Sequence, residues 1–401
     1  MRLLYILPAE AFGGAERQGV VHIANLPRSG IEVLAVVGPG LPILGQLDRA
    51  GVSNYVFFPD FPAINVARRG PLTSLWRPFG YLWKWRKSVD QLVTLARRER
   101  IDMIFASRTF GWTVGWVVAQ RLGLPVVWRA GSQPASRGQL LMLHHFAPHF
   151  LPDLLVTNCE VGRRIYGGSV PAPTVVIRNG VDTERFDPDR VAPRLRQELN
   201  LMSTPVVGLA ARPAPEKGLA YLAKVVSLVA RDFPDVRFLV AGEFPWRQHF
   251  QRLFAHHGLD ARVTFLGHVK DIESFYAACD VVVLTSERRS IELSSNAIIE
   301  AMSMARAVVV TDVGGMTEVV EDGYNGFVAS PDDAADFAQR VSLLLGDPPL
   351  RNNFGAAARM QIVQRHSQEK VSAKLATFLK AVAEARYAGT EVLRRLCQQE
   401  A

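Results

Sequence analysis

The sequence predicts an α/β protein with two doubly wound parallel-sheet domains in tandem, facing each other across a cleft. Short apolar runs such as DMIFAS and VVVLTS alternate with helical stretches, which is typical of parallel strands covered by helices on both faces. The alternation is interrupted by the proline-rich segment SVPAPT and then begins again at the strand PVVGLAA. Ligands of such sheets bind beyond the carboxyl ends of the strands, so we expect the functional site in the cleft.

Three segments follow from this pattern. Residues 1–175 are predicted to form the N-terminal domain, and residues 176–375 the C-terminal domain. Residues 376–401 are predicted to form a C-terminal helix that packs back toward the N-terminal domain. A chain of 401 residues is long enough for two sizeable cores.

Cysteine usage and hydropathy indicate the compartment. Cys159, Cys279 and Cys397 are too widely spaced for a disulfide framework or a zinc site, which favours a reducing environment. The N-terminal stretch MRLLYILPAE is too soon interrupted by proline and glutamate for a signal peptide. No apolar run reaches the ~18 residues of a membrane-spanning helix. We therefore expect a cytoplasmic protein.

The positive charge is concentrated in the first half. The net charge is +8, and residues 1–180 carry 20 Lys and Arg against 10 Asp and Glu. An anionic partner is expected for this half, either a phosphorylated substrate or an anionic membrane surface. No nucleic-acid-binding motif is present, so no nucleic acid is expected as a partner.

A basic aromatic segment, RRGPLTSLWRPFGYLWKWRKS at residues 68–88, points to a membrane interface. The alternative is a core-packing helix whose cations extend into water. The expected location is accordingly peripheral, on the cytoplasmic face of the inner membrane.

Two carboxylates, Glu292 and Glu300, lie in the segment ERRSIELSSNAIIEAMSM. In one continuous helix they would be ~80° apart and would not share a face. We therefore predict that Glu292 lies in a loop, that Ser294 or Ser295 is the N-cap, and that Glu300 lies on the second helical turn. Free N–H groups between two acids suit an anionic ligand that carries hydroxyl groups.

Two loops between a predicted strand and helix could hold phosphate. Arg212 and Lys217 lie in AARPAPEKGLAYL, where two cations beside a helix N-terminus could clamp a diphosphate. The alternative is a solvated loop with incidental charges. Gly13 and Gly14 in EAFGGAER would let the backbone approach a ligand, or would simply form a tight turn. The G-x-G-x-x-G spacing is absent, so a dinucleotide cofactor is not expected.

Eight segments occur together in a characteristic order: GGAERQ, VTNCEVGRRIY, VIRNGVDTERFDP, ARPAPEKGL, FLVAGE, VTFLGHVKDIESFYAACDVVVLTS, ELSSNAIIEAMSM and VVVTDVGGMTEVVEDGYNGFV. With this set the chain resembles the retaining glycosyltransferases of family four, the glycosyl transferases group 1, which have the GT-B architecture of two Rossmann-like domains. The resemblance covers most of the chain and is strongest from about residue 155 to residue 345.

The resemblance implies a role for each matching residue. Glu292 would lie near the donor sugar, and Glu300 would bind the ribose hydroxyls of the nucleotide. Arg212 and Lys217 would hold the donor diphosphate, and with Glu292 they form the implied catalytic set. The other implied donor-binding positions are Gly13, Gly14, His268, Val269, Leu293, Ser294, Ser295, Asn296 and Ala297.

The resemblance also implies the reaction: transfer of a sugar from a UDP- or GDP-sugar, with retention at the anomeric carbon and without a metal. The implied acceptor is lipid-linked or a polysaccharide of the cell surface. Two alternatives stay open, a soluble metabolite or protein acceptor and a non-catalytic protein that binds a nucleotide sugar. The chain departs from the family pattern at WRAGSQ, where Arg129 and Ser132 stand in place of a histidine, and at Leu293, where glycine is common. Arg288 and Arg289 are hypothesised to contact a phosphorylated acceptor.

Overall fold

The computed structural model describes residues 1–8, 13–38, 41–58, 61, 77–131, 150–211, 215–243, 247–288, 292–388 and 391–399. Two sheets account for its strands, and every strand pair in both sheets is parallel. The two Rossmann-like parallel-sheet domains expected from the sequence are therefore confirmed.

The first sheet has the strand order β3-β2-β1-β4-β5-β6-β7. Its strands are β1 (Arg2–Leu7), β2 (Glu32–Val37), β3 (Tyr55–Phe57), β4 (Met103–Ser107), β5 (Val126–Ala130), β6 (Leu154–Thr157) and β7 (Thr174–Val176). The second sheet has the order β10-β9-β8-β11-β12-β13. Its strands are β8 (Val206–Ala210), β9 (Arg237–Ala241), β10 (Val263–Gly267), β11 (Val281–Leu284), β12 (Ala307–Thr311) and β13 (Phe327–Ala329).

Helices cover both sheets. In the first half of the chain they are α1 (Gly14–Asn25), α2 (Leu41–Arg49), α3 (Arg77–Arg98), α4 (Arg108–Leu122), α5 (Glu160–Gly167) and α6 (Arg194–Glu198). They continue with α7 (Leu219–Asp232), α8 (Arg247–His256), α9 (Ile272–Ala278), α10 (Asn296–Ser303), α11 (Ala334–Gly346), α12 (Pro348–Arg365), α13 (Gln368–Ala388) and α14 (Glu391–Gln399). In the described residues no helix is both long and apolar enough to span a membrane.

The composition of each element explains its position. The central strands β4 and β12 are buried along their whole length, and their near-continuous apolar sequences suit strands covered on both faces. Helix α7 buries one stripe of residues with the three- and four-residue spacing of an amphipathic helix, namely Leu219, Leu222, Ala223, Val225, Val226 and Val229.

The chain forms two compact units. One contains residues 1–180 together with 368–401, and the other contains residues 181–367. This grouping differs from the sequence-based boundaries, since residues 176–180 and 368–375 group with the first unit. The core of the first unit includes buried residues from helices α13 and α14, among them Val371, Leu375, Phe378, Leu379 and Leu393.

Candidate active site

The second sheet has a topological switch point between β8 and β11. From β8 the chain continues to β9 on one side, whereas β11 pairs with β8 on the other side. The loops that leave β8 and β11 therefore diverge at the carboxyl edge of the sheet, which is where doubly wound sheets bind ligands. Lys217 lies in the segment between β8 and α7, and Glu292 lies in the segment between β11 and α10.

Lys217 and Glu292 form an ion pair at this edge. The Lys217 Nζ atom donates a hydrogen bond to Glu292 Oε2. The two side chains are only 11% and 13% exposed, so water screens their attraction weakly. Ser286 Oγ donates to the same carboxylate oxygen at 3.3 Å. The two residues assigned to a catalytic set by resemblance are thus brought together, although they are separated by 75 positions in the chain.

Glycines allow the loops to pack backbone against backbone. Gly218 has φ +67°, and a Cβ atom there would lie 1.8 Å from the carbonyl oxygen of Thr285. Gly314 has φ +63°, and its Cβ would lie 2.0 Å from the carbonyl oxygen of Glu292. Only glycine fits either position without displacing the neighbouring loop. The loops that carry Lys217 and Glu292 therefore have a closely defined backbone path.

Hydrogen bonds complete this framework. Thr285 Oγ1 donates to the carbonyl oxygen of Lys217 at 3.0 Å, and the amide of Gly315 donates to the carbonyl oxygen of Glu292 at 2.8 Å. Thr311 Oγ1 donates to the carbonyl oxygen of Ser286 at 2.7 Å. Each bond joins chain segments at the carboxyl ends of different strands, so several strands of the sheet together position the site.

Helix α10 begins as predicted. Its N-cap is Ser295, Glu292 precedes it in a loop, and Glu300 lies in the second turn. Glu300 is only 4% exposed and accepts a hydrogen bond from the Tyr276 hydroxyl at 2.9 Å. Helix α10 begins at Asn296, shortly after Glu292, so the positive end of the helix dipole lies close to Glu292 in the chain.

The other predicted positions fall in three places. Leu293 and Ser295 are buried, whereas Ser294, Asn296 and Ala297 are half-buried around the start of α10. His268 is exposed and Val269 half-buried, directly after β10. Strand β10 lies two strands from β8, so these residues lie about 10 Å along the same edge. Arg212, Ser132 and Arg289 lie outside the described residues.

Gly13 and Gly14 belong to the first unit. Gly13 is the N-cap of α1, and its amide donates to Glu16 Oε2 at 2.9 Å. The structure thus places the two glycines at a strand-to-helix turn after β1. The Arg288 guanidinium is paired with Asp332, with 2.7 Å between its Nε atom and Asp332 Oδ2.

Sequence reasoning missed the residues that hold the site together. Tyr276, Thr285 and Ser286 were not singled out, because each acts through a contact with a distant segment. For Thr285 and Ser286 a signal was available, since polar residues directly after the buried strand VVVL lie at the ligand-binding edge. Tyr276 carries no such signal, because it lies inside helix α9.

Part of the second unit matches a known protein family. Residues 204–347 match the family model described as glycosyl transferases group 1. The chain is similar to the Alpha-D-kanosaminyltransferase of Streptomyces kanamyceticus, with 32% identity over 45% of this chain and 47% of that protein.

A second relative is the GDP-mannose-dependent alpha-(1-6)-phosphatidylinositol monomannoside mannosyltransferase of Mycobacterium tuberculosis, with 28% identity over 50% of this chain and 54% of that protein. The chain spans about half the length of the curated relatives it matches. Among solved structures, HepE of Anabaena in complex with UDP has a TM-score of 0.77 at 24% identity, covering 95% of this chain and all of that one. The chain accordingly has the GT-B architecture predicted from its sequence.

Proposed function

We propose that this chain is a group 1 glycosyltransferase that transfers a sugar from a UDP- or GDP-sugar onto a lipid-linked or polysaccharide acceptor, with retention of the anomeric configuration. The observation that carries the proposal is the pairing of Lys217 with Glu292 at the switch point of the second sheet. Beside this pair lies the N-terminal end of α10. The UDP bound by HepE supports a nucleoside diphosphate as the ligand of this edge.

The site suits stabilisation of a departing nucleoside diphosphate. When the bond between the anomeric carbon and the diphosphate oxygen breaks, negative charge grows on that oxygen. A poorly solvated ammonium at Lys217 and the N–H groups at the start of α10 would stabilise this charge. The acceptor oxygen forms the new bond on the same face, and its proton passes to the departing phosphate oxygen. Glu292 would orient the sugar, since it lies beside Lys217.

Glu300 is proposed to bind the ribose hydroxyls. It lies in the second turn of α10, and the Tyr276 hydroxyl donates a hydrogen bond to one of its oxygens. A hydrogen-bonded, buried carboxylate has a well-defined orientation, which favours recognition of a diol. His268 and Val269 would border the base from the end of β10.

The test is nucleotide release from a panel of UDP-, GDP-, ADP- and TDP-sugars, with lipid extract as the acceptor and Lys217→Ala as the control. We expect release from one donor, with loss of at least about 100-fold in the variant, as is typical when a group that stabilises transition-state charge is removed. Absence of release together with absence of nucleotide binding would contradict the proposal. NMR of the product's anomeric proton reports retention or inversion.

A membrane-bound acceptor is supported by helix α3. Trp83 is 61% exposed, and the Lys87 Nζ atom lies 5.3 Å from the centre of its ring. Lys84 and Arg86 are exposed on the same helix. An exposed indole with several cations close to it in the same helix suits the headgroup region of an anionic bilayer. We therefore propose that the chain works as a peripheral protein at a cytoplasmic membrane face, and the relative that acts on phosphatidylinositol monomannoside agrees with this.

Vesicle binding tests the membrane proposal. Trp83→Ser should weaken sedimentation with vesicles of phosphatidylglycerol by roughly tenfold, because insertion of an indole contributes about 1–2 kcal/mol. Met202→Ser is the matched control, since Met202 is equally exposed but lies in the other unit. Equal binding of the two variants would favour the alternative, a soluble acceptor, which product analysis with soluble sugars then identifies.

A further inference from the structure

We propose that Arg108 and Arg129 form a phosphate-binding site at the carboxyl edge of the first sheet. The proposal rests on the proposed transferase function in one respect: it assigns the phosphate to the acceptor rather than to the donor. It concerns residues of the first unit only, and it is separate from the Lys217–Glu292 pair in the second unit.

Arg108 lies at the switch point of the first sheet. Strand β4 pairs with β1, which continues to β2 on its other side, so β1 and β4 define the diverging edge. Arg108 directly follows β4 and has φ +63°. A non-glycine residue adopts this left-handed conformation only where surrounding structure imposes it, and such residues concentrate at functional sites. The conformation holds the Arg108 side chain at the edge, where it is 38% exposed.

Glu16 fixes the position of this guanidinium. Arg108 Nε donates to Glu16 Oε1 at 2.6 Å, and the other carboxylate oxygen accepts from the Gly13 amide at 2.9 Å. The Glu16 side chain is only 1% exposed. Both of its oxygens are therefore occupied by groups of the same edge, and it contributes one negative charge to this group of residues.

Arg129 contributes a second cation, which is buried. The residue is only 4% exposed and lies in β5, beside β4. Within the described residues its guanidinium has one hydrogen bond, from Nη2 to Asn179 Oδ1 at 3.5 Å, and no ion pair. A guanidinium group has five N–H donors, and burying its charge with so few partners is unfavourable. Burial is the main cause that lowers the pKa of Arg129. Tyr5 and Glu16 oppose this change, whereas the positive charge of Arg108 adds to it, so the two arginines interact electrostatically.

In the described part of the chain, the charges of this cluster do not balance. His22 lies in the same cluster but is neutral, because burial and then Arg129 hold its pKa well below the usual value. Among the residues that the structure describes, two guanidinium groups therefore face one carboxylate, and the cluster has a positive charge in excess. A phosphate group would supply the missing negative charge and could accept parallel hydrogen bonds from the exposed arm of Arg108. Within the described residues, two buried polar atoms near Arg129, Asn158 Oδ1 and His22 Nε2, have no hydrogen-bond partner.

Binding of inorganic phosphate to the full chain, measured by calorimetry with saturating UDP present, tests the site. We expect Arg108→Gln to weaken phosphate binding roughly tenfold, as for loss of a hydrogen bond to a charged group. Glu16→Gln should strengthen it, because the competing carboxylate is removed while the shape is kept. A purely structural role of Glu16 predicts the opposite sign. Arg108→Lys should retain most of the binding, and thermal melts identify any variant that fails to fold.

Two controls separate this site from the donor site and from the general surface charge. Lys217→Ala should lose UDP binding and retain phosphate binding. Arg190→Gln removes the charge of an exposed arginine in the second unit and should leave phosphate binding unchanged. The proposal is overturned if phosphate does not bind, if Arg108→Gln binds it normally, or if Lys217→Ala abolishes it. If no donor is turned over but Arg108-dependent binding persists, the transferase proposal fails while the anion site stands.

Two further probes identify the source of the phosphate. Glycerol 3-phosphate represents a soluble acceptor, and vesicles containing phosphatidic acid represent a lipid acceptor. Dependence on Arg108 with either probe supports an acceptor phosphate and assigns its class. Independence of Arg108 with both probes contradicts the assignment to the acceptor.

Discussion

Replacing Glu292 with Gln should strengthen the binding of a free nucleoside diphosphate while abolishing sugar transfer. In the structure, Lys217 is already paired with Glu292, and both side chains are almost completely buried. A diphosphate that binds at Lys217 must compete with this carboxylate and approach its negative charge. The Gln side chain has the same shape but no charge. It therefore competes less for Lys217 and no longer repels the diphosphate.

The expected gain follows from the strength of this pair. A hydrogen bond to a charged group contributes about 1.5–3 kcal/mol, and recovering even half of the upper figure corresponds to about a tenfold lower Kd. The same change should lower the free energy of unfolding of the ligand-free protein by about 1–3 kcal/mol, since it leaves a mostly buried ammonium without its charged partner. The diphosphate should restore that stability.

Calorimetry with UDP and GDP measures the affinity, and thermal denaturation with and without nucleotide measures the stability. Glu321→Gln is a matched control, because it removes one exposed carboxylate from the same unit. Unchanged or weaker nucleotide binding in Glu292→Gln, with normal binding in the control, would refute the reasoning.

Two other predictions concern stability. Gly314→Ala should lower the free energy of unfolding by roughly 2–4 kcal/mol, because the new Cβ would lie 2.0 Å from the Glu292 carbonyl oxygen. Gly323→Ala should lower it by only about 1 kcal/mol, the cost of its φ of +77°, since nothing lies within 4 Å of its Cβ. Urea denaturation compares the two variants, and equal losses would contradict the steric argument. His22 stays neutral when folded, with its pKa lowered by burial and by Arg129, but binds a proton when unfolded. Protonation of His22 in the unfolded state should therefore lower the free energy of unfolding by up to about 1.4 kcal/mol per pH unit below about pH 6.5. His22→Gln should show a shallower decline in stability between pH 6.5 and 5. Equal slopes of stability against pH in the two proteins would contradict this role of His22.

Local patterns predicted the parts of the site that depend on neighbouring residues. The start of α10 at Ser295 was readable because a serine precedes an apolar helical stretch, and Glu292 fell outside the helix for the same reason. The alternation of strands and helices likewise predicted both parallel sheets. The implied sugar-binding and base-binding roles stay predictions.

Contacts between distant segments could not be predicted in this way. Lys217 and Glu292 were each singled out, but their pairing depends on β8 and β11 being neighbours in the sheet. Arg108 and Glu16 are 92 positions apart, and the sequence around Arg108 does not predict that this residue adopts a left-handed backbone conformation after β4. The boundary at Gln368 was also unreadable, since helical sequence continues on both sides of it.

The contribution of α13 and α14 to the first core has a consequence for synthesis. The ribosome makes residues 1–180, then the whole second unit, and only then the helices whose residues Val371, Phe378 and Leu393 complete that core. The second unit is continuous in sequence and can fold as it emerges, whereas the first must wait with apolar surface uncovered. The half of the chain that is made first is therefore the half that finishes folding last, and premature termination near the C-terminus would damage the N-terminal unit.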